Sequence, residues 1–278
     1  MRRRRFLLSL PPLAAMLPTL ARASAPRFPR TSAVPGGVAS VNVGAHTRAP
    51  RARAGAERVL VVRQGDEWIA LVGIALAAKP GSTVWVDAEH ADGAITRHAI
   101  AVAPKTYASQ HLKVRPGQVD LSPEDLARYE RERAHMAGVI KTFTEDPPPT
   151  LAMVQPTPGR RSSSFGLRRY FNGEARSPHG GMDIAAPVGT PVVAATAGRV
   201  IDVGDYFFSG RTIVLDHGAG LLSLYAHLSQ VNINNLQNIA AGAPIAKVGA
   251  TGRVTGAHLH FSVYLNTVAV DPALFLPA

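Results

Sequence analysis

Short apolar runs separated by turn residues dominate the first part of the chain. Turn sequences such as Gln64-Gly65-Asp66, Lys79-Pro80-Gly81 and Asp92-Gly93 separate these runs. Apolar runs of about four to eight residues between turns are typical of strands in a sheet. We therefore predict a small antiparallel β-sandwich over residues 36–118. Its predicted strands lie at residues 58–63, 68–72, 83–86 and 95–102.

After the predicted β-sandwich, the spacing of apolar residues changes to that of a helix. Ser122-Pro123-Glu124-Asp125 has the order of a helix start, with a serine cap, a proline at the first helical position and acidic residues in the first turn. We predict a helix over residues 122–145 and a stiff proline-rich linker over residues 146–158 that spaces two domains. The apolar positions at helical spacing are Leu126, Tyr129, Met136, Ile140 and Phe143.

Beyond residue 159 the pattern returns to short strands and glycine-containing turns. Leu222 and Leu224 face one side of a predicted strand, while Tyr225 and His227 face the other. We predict an antiparallel β-rich domain over residues 159–278, so the whole chain is expected to be mainly β with a helical linker. The predicted strands here are residues 191–195, 199–203, 212–217, 221–227 and 258–265.

Composition supports this assignment and limits the chemistry. Aromatic residues make up only 6% of the chain, and there are 25 glycines and 22 prolines, which favours many turns over long helices. The chain has no cysteine, so it forms neither disulfides nor thiolate metal sites. Any metal ion must be held by histidine and carboxylate side chains.

The N-terminus has the pattern of an export signal. Four arginines at positions 2–5 precede a short apolar run that contains three prolines, and Ala21-Arg22-Ala23 provides a cleavage site. We predict a signal peptide at residues 1–23 and a tether at residues 24–35. The arginine-rich start fits either Sec or twin-arginine export. The prolines and the short run argue against a transmembrane helix, so we expect a periplasmic or secreted protein without a transmembrane segment after signal removal.

The formal net charge of +11 indicates an acidic partner. A basic exported protein is attracted to anionic polymers such as the cell wall and to lipid headgroups. The sequence has neither a helix-turn-helix pattern nor alternating aromatic and basic residues, so we do not expect nucleic-acid binding.

Two histidine-containing segments carry the candidate chemistry. In a strand, His258 and His260 of His258-Leu259-His260 point to the same face, and His179 and Asp183 lie about eighty residues earlier. Zn²⁺ binds histidine nitrogens and carboxylate oxygens, and hydrolytic sites keep three protein ligands with one open position. Alternation does not decide which of His258 and His260 is the third ligand. The other imidazole is then free for proton transfer.

The chain resembles the M23 (lysostaphin/LytM-type) zinc metallopeptidases over about residues 160–272. The resemblance rests on His179-Gly180-Gly181-Met182-Asp183, Tyr225-Ala226-His227-Leu228 and His258-Leu259-His260-Phe261, in this order, with supporting segments at residues 164–168, 187–195 and 249–252. The predicted N-terminal β-sandwich more loosely resembles the immunoglobulin-like domain that some members carry. One departure is Ser262, which stands where the family often has an acidic residue.

The resemblance implies an exported zinc metalloendopeptidase that hydrolyses peptide cross-links of peptidoglycan. It implies one Zn²⁺ per chain, held by His179, Asp183 and His260, with His227 and His258 in proton transfer. Arg168 and Tyr225 are further candidates for the substrate groove. The expected partners are peptidoglycan stem peptides, and a monomer is expected.

Two other functions are compatible with the same segments. One is a non-catalytic LytM-type module that activates a cell-wall amidase, although such relatives characteristically lose metal ligands and this chain retains all three. The other is a secreted protease that acts on protein substrates, such as glycine-rich ones. His217, at the end of a predicted strand, is expected at the surface.

Overall fold

A computed structural model describes residues 29–113 and 121–277. Within these two ranges the chain is mainly β with one α-helix, which confirms the predicted fold class. The predicted signal peptide, residues 1–23, and the first part of the predicted tether lie outside the described residues.

The N-terminal domain is one curled antiparallel sheet of six strands. These strands are β1 (Val38–Asn42), β2 (Arg51–Ala54), β3 (Glu57–Gln64), β4 (Glu67–Gly73), β5 (Thr83–Glu89) and β6 (Ile95–Ala101). They pair in the order β1-β4-β3-β2-β5-β6, and the two halves of the sheet close around a common apolar cluster. Because β2 pairs with both β3 and β5, the strands form a single barrel-like sheet where two packed sheets of a sandwich were predicted.

A second small sheet connects the end of this domain to the C-terminal part. It contains β7 (Ser109–Leu112), β9 (Arg168–Phe171) and β10 (Glu174–Ala175). β7 runs parallel to β9, which in turn pairs with β10 in the antiparallel direction. The chain that leaves the N-terminal sheet therefore continues along the C-terminal domain.

Helix α1 covers Pro123–Ile140 and lies against the C-terminal sheet. Its predicted cap is present, because Asp125 N donates to Ser122 Oγ at 3.1 Å. Met136 and Val139 pack onto an apolar cluster of that sheet. The helix ends five residues earlier than predicted, where Lys141 N donates to Gly138 O in a tighter turn.

The C-terminal domain is built on a large, mainly antiparallel sheet. Its remaining strands are β8 (Arg160–Ser163), β11 (Met182–Ala185), β12 (Pro191–Val193), β13 (Gly198–Tyr206), β14 (Gly210–Gly218), β15 (Leu221–Val231), β16 (Asn238–Ile239), β17 (Pro244–Val248), β18 (His258–Leu265) and β19 (Val268–Val270). The main order is β16-β13-β14-β15-β18-β11-β8. β12 pairs with β17, β17 with β15, and β19 with β18.

The two domains share one hydrophobic core. Leu60 and Leu71 of the N-terminal sheet belong to the same buried cluster as Leu265 and Val270 of the C-terminal sheet. Full burial of each leucine stabilises the fold by about 1.5–3 kcal/mol. A Cβ added at Gly73 would lie 2.6 Å from the backbone oxygen of Leu265, so this close approach of β4 to β18 requires glycine.

His217 is a core residue, so its expected surface position is wrong. The side chain is 5% exposed, because β14 is an inner strand of the sheet. Its Nδ1 donates to Ala197 O at 2.8 Å, and its Nε2 lies 2.7 Å from Ser223 Oγ. Burial lowers the pKa of His217 to about 4, although the bond to the Ala197 carbonyl opposes this shift. The His217 imidazole in the folded protein is therefore mostly neutral above a pH of about 4.

We expect acid to destabilise the protein through His217. An unfolded histidine titrates near pH 6.5, so the unfolded state takes up a proton before the folded state does as the pH falls toward 4. The contribution of His217 to the free energy of unfolding should be complete above pH 6.5 and should fall by about 3 kcal/mol as the pH decreases to 4. Urea unfolding at several pH values measures this quantity.

Two variants make the measurement specific. His217→Gln should be less stable than the unmodified protein at pH 7.5 and should lose less stability on acidification. His111→Gln removes an exposed imidazole and should keep the original pH dependence. Equal pH dependence in the His217→Gln variant would contradict the prediction.

Candidate metal centre

The pairing of β11 with β18 places two candidate ligands side by side. In this antiparallel register Asp183 lies opposite His260, and directly paired residues project to the same face of a sheet. His179 precedes β11 and is fixed by its own backbone, because His179 N donates to Leu167 O at 3.0 Å and Gly166 N donates to His179 O at 2.8 Å. The three side chains converge at the end of β11.

Three ligand atoms form a nearly equilateral triangle. His179 Nε2 lies 3.0 Å from Asp183 Oδ1 and 3.0 Å from His260 Nδ1, and the last two atoms are 2.9 Å apart. Among the described residues, these three are the one group of histidines and carboxylates close enough to share a metal ion. Tetrahedral Zn²⁺ with bonds of about 2.0–2.1 Å separates its ligands by about 3.3 Å. The donor set and its spacing therefore fit Zn²⁺.

Outer hydrogen bonds determine which nitrogen of each ligand is free. His179 Nδ1 donates to the Ser164 carbonyl at 3.0 Å, which leaves the Nε2 lone pair directed at the centre. Ser262 Oγ donates to Gly180 O at 3.1 Å, so it accepts from His260 Nε2 at 2.9 Å. The lone pair of His260 is then on Nδ1. Such partners orient metal ligands and raise their affinity for the ion.

His227 and His258 lie close to the same centre. His258 Nδ1 donates to Gly256 O at 2.9 Å, and its Nε2 lies 3.7 Å from Asp183 Oδ1. His227 Nδ1 donates to Thr251 O at 3.0 Å, and its ring centroid is 4.8 Å from that of His258. His227 has a left-handed backbone with φ 63°, a conformation that costs about 1–3 kcal/mol in a non-glycine residue. The surrounding fold therefore holds this imidazole beside the centre against local strain.

The electrostatics of the centre favour a cation. Burial raises the pKa of Asp183, but the close contacts with the His179 and His260 imidazoles outweigh it and hold that pKa far below its ordinary value. Burial, assisted by the neighbouring His260, lowers the pKa of His227 to about 4. Burial also lowers the pKa of His260. An ionised carboxylate and neutral imidazoles are the protonation states that metal binding requires.

The two weaker groove candidates have different environments. Tyr225 is fully buried, and its hydroxyl accepts a hydrogen bond from Ala195 N at 2.8 Å, so it is a core residue and does not line the groove. Arg168 is exposed on β9. Its neighbour Arg169, which sequence reasoning missed, approaches the centre, with Nη2 3.7 Å from Asp183 Oδ2. Arg168 and Arg169 are successive residues of β9, so their side chains point to opposite faces of the strand.

Comparison with known proteins identifies the family of the chain. Residues 177–272 match the model of peptidase family M23, and residues 31–98 match the M23 N-terminal domain. A crystal structure of a Pseudomonas aeruginosa protein described as peptidase M23 aligns with a TM-score of 0.76 and 40% identity, and covers 88% of this chain and 95% of that one. The chain belongs to peptidase family M23.

Curated relatives of this M23 protein are matched over part of their length. Peptidoglycan DD-endopeptidase ShyB of Vibrio cholerae is 39% identical over 94 residues, which is 34% of this chain and 22% of ShyB. Peptidoglycan DD-endopeptidase ShyA of the same organism is 38% identical over 108 residues, which is 38% of this chain and 25% of ShyA. The match thus spans about a quarter of each relative.

Within residues 29–113 and 121–277 of this M23 protein, no helix has the length and apolar character of a membrane span.

We expect Ser262→Ala to weaken zinc binding by this M23 protein by about 10–100-fold. The substitution removes the acceptor of His260 Nε2 and the donor to Gly180 O, so His260 is no longer held with Nδ1 facing the centre. Competition with a chromophoric chelator measures the zinc affinity. Ser40→Ala, on an exposed position of β1, is the matched control and should bind zinc normally. Unchanged affinity in a folded Ser262→Ala variant would show that the serine does not position the ligand.

Proposed function

We propose that this M23 protein is an exported zinc metalloendopeptidase that hydrolyses peptide cross-links of bacterial peptidoglycan. The observation that carries the proposal is the triangle of His179, Asp183 and His260 ligand atoms with two further imidazoles beside it. We propose one Zn²⁺ per chain, stem peptides as the substrate and a monomer in the periplasm or outside the cell.

Zn²⁺ bound there would polarise the scissile carbonyl and lower the pKa of a coordinated water molecule. His179 and His260 would bind it as neutral imidazoles and Asp183 as a carboxylate, which leaves a net positive charge at the centre. His179 and His260 are already oriented by their outer hydrogen bonds, so little reorganisation of these two ligands would accompany metal binding.

The two remaining imidazoles supply proton transfer. His227 and His258 both donate from Nδ1 to backbone carbonyls, so each keeps an unprotonated Nε2. One Nε2 accepts a proton from the attacking water, and the proton is then delivered to the leaving amine. The low pKa of His227 keeps this residue neutral at neutral pH and at the same time makes it a weaker base than an ordinary histidine.

Ligand retention disfavours the amidase-activating alternative. A module that only binds needs neither three metal ligands nor accessory imidazoles, and this chain holds all five side chains within one cluster.

Export is proposed from the N-terminal signal pattern.

The decisive experiment is mass spectrometry of muropeptides released from purified sacculi by the mature protein. We expect cross-link fragments from the unmodified protein and none from His260→Ala, which should also lose its zinc. His258→Ala should keep its zinc and lower kcat by about 10²–10⁴-fold, because it removes only proton transfer. Identical muropeptide profiles with the unmodified protein and His260→Ala would favour a binding module instead.

A further inference from the structure

β7 lies beside the segment that leads to the first metal ligand. Arg168 N, at the start of β9, donates to Ala108 O at 2.9 Å, and β7 then pairs with β9 along its whole length. Immediately before β9, Gly166 and Leu167 hydrogen-bond to the backbone of His179. A strand from the N-terminal half of the chain is therefore part of the structure around the metal centre.

The register of this pairing assigns side chains to two faces. Gln110 pairs with Arg169, and His111 pairs with Tyr170. The rings of His111 and Tyr170 stack at 4.5 Å with an angle of 5°, so these two side chains share one face. Successive residues of a strand alternate, so Gln110 and Arg169 lie on the other face. That face is the one that reaches Asp183.

Arg169 has unused hydrogen-bonding capacity. Its Nη2 lies 3.7 Å from Asp183 Oδ2, which is a long ion pair, and it reaches Ser163 Oγ only at 3.4 Å. Its buried Nε has no hydrogen-bond partner among the described residues. The side chain is nevertheless 35% exposed, so part of it is open to solvent. A guanidinium has five donors in a planar fork that matches a carboxylate.

We propose that Arg169, with Gln110 beside it, binds a carboxylate of the substrate peptide next to the bond that is cut. The inference rests on the proposed function, since peptidoglycan stem peptides carry several carboxylates. Arg169 supplies the charge, and the exposed Gln110 amide supplies a further donor from the neighbouring strand. The N-terminal half of the chain thereby contributes to substrate selection.

A purely supporting role for Arg169 predicts something different. If the guanidinium only balances the charge of Asp183, its removal should change zinc binding and should affect all substrates equally. A substrate-binding role predicts a loss that depends on whether the substrate has a carboxylate. The test therefore compares two substrates that differ in this group alone.

The probes are a synthetic cross-linked stem-peptide dimer with free carboxylates and the same dimer with those carboxylates converted to carboxamides. Binding is measured by calorimetry on the zinc-loaded full chain with His258→Ala, in which the expected 10²–10⁴-fold loss of kcat keeps cleavage slow during the titration. We expect the carboxylate dimer to bind about tenfold more tightly than the carboxamide dimer, as a charge-assisted guanidinium–carboxylate contact provides.

Substitutions at the subsite should change this ratio in a graded way. Arg169→Ala should bring the ratio close to one, Arg169→Lys should keep part of it, and Gln110→Ala should reduce it by less than Arg169→Ala. Arg160→Ala removes an exposed arginine from the nearby β8 and should leave the ratio unchanged. Zinc content is measured in every variant.

Two results would overturn the inference. One is equal binding of the two dimers by the protein with Arg169 intact. The other is an Arg169→Ala variant that loses zinc and binds both dimers equally weakly while Arg169→Lys and Gln110→Ala keep the original ratio.

Cleavage by the protein with His258 intact separates this inference from the proposed function. A carboxylate preference in binding without cleavage of either dimer would refute the peptidase and support the subsite. Cleavage of both dimers at equal rates without a binding preference would support the peptidase and refute the subsite.

Discussion

The antiparallel pairing of β11 with β18 is the constraint on which the metal centre depends. It sets Asp183 opposite His260 while Ile184, Leu259 and Phe261 fill the core on the other face. A shift of one residue would expose these three apolar side chains and turn the ligands inward. Because burial of that apolar surface is strongly favourable, the core holds the register and the register holds the ligands. The geometry of the candidate metal centre is thus a consequence of hydrophobic packing.

Local patterns in the sequence were sufficient for the parts of the centre that depend on local geometry. Strand alternation correctly put His258 and His260 on one face, and the Ser122 cap identified the start of the helix. The apolar runs identified β3 to β6, but β1 and β2 were missed, because Arg51–Ala54 alternates arginine with small alanines and has no apolar run. Propensity alone does not reveal a strand whose partners decide its formation.

Residues whose environment is made by distant parts of the chain could not be assigned in this way. Tyr225 and His217 look like groove and surface residues in the sequence, but the inner position of β14 and β15 in the sheet buries both. The choice between Arg168 and Arg169 depends on how β9 is placed beside β7, more than fifty residues earlier. Neither periodicity nor a motif contains that information, because non-local pairing is a property of the assembled fold.

The common core of the two domains has an evolutionary implication. Leu60 and Leu71 are buried against the C-terminal sheet, and Gly73 leaves no room for a larger residue beside Leu265. An exchange of the N-terminal half for an unrelated module would uncover this apolar surface and leave it open to aggregation. Recombination between relatives should therefore preserve both halves as a pair, and substitutions on β4 should be accompanied by matching changes on β18 and β19.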